Sequence, residues 1–161
     1  MVIISLFATT KGRQYLNNLD QKSLTILHIV RIPIELVLFW LFIHKTVPQL
    51  MTFEGRNLDI LSGLTAPVIF YFAYIRKQLD RKLLLIWNFI CLGLLINIIL
   101  NGILSAPTPF QQFAFDQPNI AVLHYPFVWL PGCIVPLVLL SHLATIRQLL
   151  SDGRRKQRVS L

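Results

Sequence analysis

Residues 83–104 read LLLIWNFICLGLLINIILNGIL, a run without a single charged side chain. A helix rises about 1.5 Å per residue, so about 20 such residues cross the roughly 30 Å of a bilayer's hydrocarbon. Backbone groups must be hydrogen-bonded in lipid, and no alternation of barrel-strand length occurs here, so the run predicts a transmembrane helix. Three further stretches follow the same rule, at about 24–47, 58–75 and 120–146. Residues 58–75 are short and hold Pro67, and residues 120–146 carry Pro126, Pro131 and Pro136. The expectation is an all-α polytopic four-helix bundle forming a single integral membrane domain over 1–161.

Composition agrees. Across 161 residues the apolar share is 55% and the charged share 14%, with a mean hydropathy of +0.62. Soluble domains carry about 25% charged residues, so disorder and an ordinary water-soluble domain are excluded. Two cysteines exclude a disulfide scaffold. Cys91 and Cys133 read as small buried apolar residues.

The net charge of +8 is unevenly spread. With both termini and the 76–82 loop on one side, that side holds Lys11, Arg13, Lys22, Arg76, Lys77, Arg81, Lys82, Arg147, Arg154, Arg155, Lys156 and Arg158 against Asp20, Asp80 and Asp152. The other side holds Lys45 and Arg56 against Glu54, Asp59 and Asp116. Cations stay cytoplasmic, which predicts an N-in/C-in protein. The basic excess then needs no nucleic acid to explain it. Residues 151–161 form a basic cytoplasmic tail. Residues 1–20 are apolar at first but lack a basic leader and a cleavage site, so they read as an interfacial segment rather than a signal peptide. The compact design suggests a bacterial plasma membrane.

Ionisable groups inside a membrane are costly and mark function by default. His28, Arg31 and Glu35 share one face of the first span. Arg31 and Glu35 are expected to form a neutral intrahelical pair, although acid after base is the less favourable order. Counting from the inner helix ends places His28, Asn88 and His142 at one level, Arg31 and Cys91 next, then Glu35 with Asn97, and Asn101 a turn outward. This predicts an intramembrane polar cluster of His28, Arg31, Glu35, Asn88, Asn97, Asn101 and His142, either a buried hydrogen-bond network or the wall of a narrow polar cavity open to the cytoplasm. A second group lies at the outer mouth, with Glu54, Arg56, Asn57 and Asp59 before the second span and His124 and Tyr125 at the start of the fourth. There the alternatives are a small-ligand site and plain helix capping with an aromatic belt.

No zincin, nucleophile-elbow, Walker or dinucleotide motif occurs, and no paired acidic motif, so the reading leans away from an enzyme. The leading expectation is a membrane protein whose polar interior stabilises the bundle or binds a small ligand, possibly within a larger assembly. The alternative is permeation of a small solute or proton through a homo-oligomer, using His28, Arg31 and Glu35. A further alternative is electron transfer with haem b on His28 and His142; otherwise no cofactor or metal is expected. Partners are the lipid bilayer and a second copy or a complex partner.

Overall fold

A computed structural model describes the backbone of residues 2–159 and the side chains of 3–151. The basic tail side chains from 152 onward lie outside the described residues. Within them the fold is helical, with no strand.

Two short helices come first, α1 (Val2–Ala8) and α2 (Thr10–Asn18). Thr9 caps α2, its hydroxyl accepting from Gly12 N at 3.1 Å. Gly12 is required here: a Cβ would stand 2.5 Å from Leu6 O and 2.7 Å from Leu6 Cα. Leu16 is fully buried. The hairpin is tied to the far end of the chain. Gln148 Nε2 donates to Leu16 O at 2.6 Å and Leu19 O at 2.9 Å, and Arg147 Nε donates to Asn17 Oδ1 at 3.3 Å.

Asp20 caps the next helix, accepting from the Ser23 hydroxyl at 2.8 Å and from Ser23 N at 3.0 Å. These bonds hold its carboxyl below the usual carboxylate range. The first apolar helix, Gln21–Ile43, has three parts: α3 (Gln21–Ile26), a 3-10 turn (Leu27–Val30) and α4 (Arg31–Ile43). Pro33 has no N–H to give to the preceding turn, and its ring crowds the carbonyl four residues back, so the chain tightens there. The helix stops at Ile43, short of the 47 expected, where Lys45 turns left-handed (φ 57°) and Thr46 N donates back to Leu41 O at 3.0 Å.

After a 3-10 turn at Gln49–Met51, α5 (Ile60–Phe70) continues as a π-turn through Tyr71–Ile75. Asp80 then caps α6 (Arg81–Ser105), accepting from Arg81 N at 2.8 Å. The predicted fourth helix differs most. Residues 120–129 form a short 3-10 turn and irregular chain, and the helix begins at Leu130 with a π-turn that leads into α7 (Val135–Val159). Pro131 sits in the first turn, where a missing N–H costs nothing, and Pro136, which has no N–H to give, follows directly on the π-turn.

Among the described residues, three helices are long and apolar enough to cross a membrane: Gln21–Ile43, Arg81–Ser105 and Leu130–Ser151; Ile60–Ile75 is apolar but shorter. Polarity is inverted relative to a soluble protein. Leu36, Trp40, Ile86, Ile90 and Leu100 are exposed, whereas His28, Arg31, Glu35, Asn88 and His142 are buried. The apolar core gathers Leu38, Leu41, Met51, Leu95, Ile98 and Val138 from α4, α6, α7 and the 49–51 turn.

Candidate functional site: a buried polar chain at the floor of a cavity

The polar chain starts on the α3–α4 helix. His28 lies in the 3-10 turn and Arg31 opens α4. Gly63 of α5 packs against this turn so closely that a Cβ would stand 2.8 Å from Ile32 Cγ1 and 3.3 Å from His28 O. That approach brings the N-terminus of α5 onto α4 and decides the pairing of the charges. Arg31 Nη1 forms a buried ion pair with Asp59, and Glu35 accepts from Asn57 Nδ2. The expected Arg31–Glu35 pair is therefore replaced by two contacts to the segment before α5. The reason is geometric: a cross-helix carboxylate at Gly63's contact reaches the guanidinium directly, while the base-before-acid spacing on one helix is the weaker arrangement.

Arg31 also reaches inward. Nη2 donates to His142 Nε2 at 2.8 Å and Nη1 lies 3.4 Å from Cys91 O. Arginine has only donors, so His142 Nε2 is the acceptor, and its proton sits on Nδ1. Nδ1 donates to Asn88 Oδ1 at 3.1 Å, and Asn88 Nδ2 donates to Leu84 O at 2.9 Å. One directed chain thus runs from Asp59 through Arg31, His142 and Asn88 to the α6 backbone. His28 stacks on His142, ring centroids 4.0 Å apart and planes 18° apart, with Trp87 edge-on at 5.6 Å. Axial haem ligands point a nitrogen at the iron between them, but these rings meet face to face and both His142 nitrogens are engaged, so the pair does not fit a haem.

The predicted clusters merge. Asn57 and Asp59, assigned to the outer mouth, belong to the buried chain, and Asn57 also binds Met51 O at 3.0 Å while its Oδ1 accepts from Asp59 N at 3.0 Å. Asn97 donates to Arg56 O at 2.9 Å instead of meeting Glu35, and Asn101 donates to Asn97 Oδ1 at 3.2 Å. Glu54, Arg56, His124 and Tyr125 are exposed, with Arg56 over the Phe113 ring at 5.5 Å. Cys91 is buried as expected, but Cys133 is exposed, because it lies on the outer side of the Leu130–Ile134 turn.

The structure holds a cavity, mainly apolar where the sequence allowed only a narrow polar one. It has a volume of about 460 Å³ and lies between α4, α6 and the start of α7, covered by the connection from α6 to α7. Its walls are mainly apolar: Ile34, Leu38, Leu95, Ile98, Ile134 and Val138. Arg31, Glu35 and Asp59 line it at the buried end, and Ile103 (54% exposed) and Leu123 (50%) at the open end. Arg31 Nε and Glu35 Oε2 have no hydrogen-bond partner among the described residues. Asn119 Oδ1, beside Gly102, is likewise unpaired. No group of His, Cys, Asp and Glu suited to a metal ion occurs among the described residues.

Neither the search of curated proteins nor that of solved structures gave a match. A family match covers residues 1–150, and the chain belongs to that family, a domain of unknown function designated DUF8737.

Proposed function

We propose that this chain is a non-enzymatic integral membrane protein that binds a small ligand in the cavity between α4, α6 and α7. In this reading Ile60–Ile75 is a fourth, short span. The four helices form a bundle in a bacterial plasma membrane with both termini cytoplasmic, as the clustering of cations at 76–82 and near the termini favours.

The observation that carries the reading is the pairing of an apolar cavity of about 460 Å³ with unsatisfied polar atoms at its buried end. Ligand sites have this character: mostly apolar walls, a few convergent polar groups, and volumes of about 300–1,000 Å³. Buried polar atoms without partners cost about 1–3 kcal/mol each. A bundle needing only internal glue would close the cavity and pair them.

Gly102 gives the test. A Cβ added there meets nothing closer than Met51 Cε at 3.4 Å, so Gly102→Leu is accommodated at its first carbon and fills the cavity with the rest. Protein in lipid nanodiscs, analysed by mass spectrometry after gentle release, is expected to carry a small molecule that Gly102→Leu lacks at equal thermal stability. Equal content of every bound molecule in the two proteins would overturn the reading.

A further inference from the structure

The two unsatisfied atoms at the buried end define a head group. Arg31 engages Nη1 with Asp59 and Cys91 O and Nη2 with His142, which leaves Nε as the guanidinium nitrogen without a partner. Glu35 commits Oε1 to Asn57 and leaves Oε2. The two residues are four apart on one helix face and both line the cavity. Both are 2% exposed, so bulk water does not serve them.

A single group that serves both atoms must accept from Nε and meet Oε2. A carboxylate offers no donor to Oε2 and adds a third negative group beside Asp59 and Glu35. An ammonium offers no acceptor to Nε and adds a cation beside Arg31. A bare carbonyl accepts from Nε and leaves an ionised Oε2 unmet. A hydroxyl does both: its oxygen accepts from Nε and its proton goes to Oε2. The third unpaired atom of the cavity lining, Asn119 Oδ1, is held beside Gly102 rather than in this cluster, so it does not set the head group.

The rest of the ligand follows from the walls. Beyond the charged end the lining is largely apolar, and the open end is framed by Ile103 and Leu123, both about half exposed. Such a mouth excludes water-soluble solutes and admits molecules already dissolved in lipid. We propose that the cavity takes an uncharged, lipid-soluble alcohol or phenol, its hydroxyl set between Arg31 Nε and Glu35 Oε2 and its apolar body along α6 and α7. This assignment rests on the ligand-binding reading above.

The test uses probes that share one chain and differ only in the head: decanol, decanoate, decylammonium and decane. Each is titrated into protein in phosphatidylglycerol–phosphatidylethanolamine nanodiscs, and tryptophan fluorescence and thermal stability are recorded. Decanol is expected to bind about tenfold more tightly than the other three, the value of one to two well-made hydrogen bonds. Glu35→Gln keeps an oxygen for Asn57 but turns the free position into a donor. It is expected to weaken decanol about fivefold, leave decane unchanged, and keep the thermal midpoint of the parent without ligand. Gly102→Leu should abolish binding of all four.

The two levels of inference fail differently. If decane or a charged probe matches decanol while Gly102→Leu still blocks it, the site is real and the hydroxyl assignment falls. If no probe binds, or Gly102→Leu binds as the parent does, the ligand-binding reading falls with it. If Glu35→Gln does not fold, Glu35→Asp replaces it: the shortened carboxylate withdraws Oε2 from the head and should reproduce the selective loss for decanol. An unchanged decanol affinity in a folded Glu35 variant overturns the assignment.

Discussion

Arg31 Nη2 donates to Nε2 of His142 at 2.8 Å, and this bond fixes the tautomer of a histidine 111 residues away. Because the guanidinium cannot accept, His142 must carry its proton on Nδ1, where Asn88 Oδ1 receives it. Nitrogen-15 NMR of selectively labelled protein should show Nδ1 protonated and Nε2 bare. The opposite tautomer would mean that the two residues are not bonded. His142→Ala leaves a guanidinium nitrogen and an amide oxygen buried without partners, so it should lower stability by roughly 1–3 kcal/mol per group, read as a drop in the thermal midpoint.

The ion pair of Arg31 with Asp59 is testable by a double-mutant cycle. Arg31→Met and Asp59→Asn each strand a buried charge, which in soluble proteins costs about 3–5 kcal/mol. The double variant should recover part of the loss, since neither charge remains. The same cycle with Arg31 and Glu35 should show the smaller coupling, because Glu35 bonds Asn57 instead. Stronger coupling to Glu35 than to Asp59 would restore the intrahelical pair.

Gln148 is the clasp of the N-terminal hairpin. Gln148→Ala removes two hydrogen bonds, to Leu16 O and Leu19 O, each worth about 1 kcal/mol. Trypsin cleavage at Lys11 and Arg13 should accelerate severalfold, and amide exchange in α2 should quicken, while exchange in α6 stays as in the parent. Unchanged proteolysis would show that the hairpin docks without help from Gln148.

The transmembrane orientation is read by single cysteines placed in protein lacking Cys91 and Cys133. A label at Gln78 should be accessible from the cytoplasm and one at Gln112 from the opposite side. Labelling of both from one side would mean that Arg81–Ser105, the apolar helix between the two sites, does not cross, and would sink the four-span arrangement.

Most of the helices are legible in the sequence because hydropathy and length are local quantities. The uncharged run within Arg81–Ser105 and the charge cluster after Ile75 needed no tertiary information. The start of the last apolar helix was displaced because hydropathy alone carried the reading across 120–129, whereas the prolines at 126, 131 and 136 mark where regular winding begins. In the site, the members His28, Arg31, Glu35, Asn88 and His142 were legible as buried polar residues on apolar helices. The partners of Arg31 and Glu35 in the segment before α5 were not. Asn57 and Asp59 look like cap residues of a short helix until Gly63 is seen to press α5 against the His28–Ile32 turn. Which residues face across two helices is a matter of rotation and register, and a lone glycine is the faint trace it leaves in one sequence. The apolar cavity left no trace, since it is made by what α6 and α7 do not fill.

Only 28 residues separate Arg31 from Asp59, and this spacing bears on biogenesis. A first segment entering the bilayer alone would bring an unmatched guanidinium into hydrocarbon, at a cost of about 2.5–3.5 kcal/mol on the insertion scale. Its counter-ion emerges from the ribosome within the next turns of synthesis, whereas His142 follows only after two more helices. The first two apolar segments are thus best delivered together, as a pre-paired hairpin, with the histidine joining once the last segment arrives.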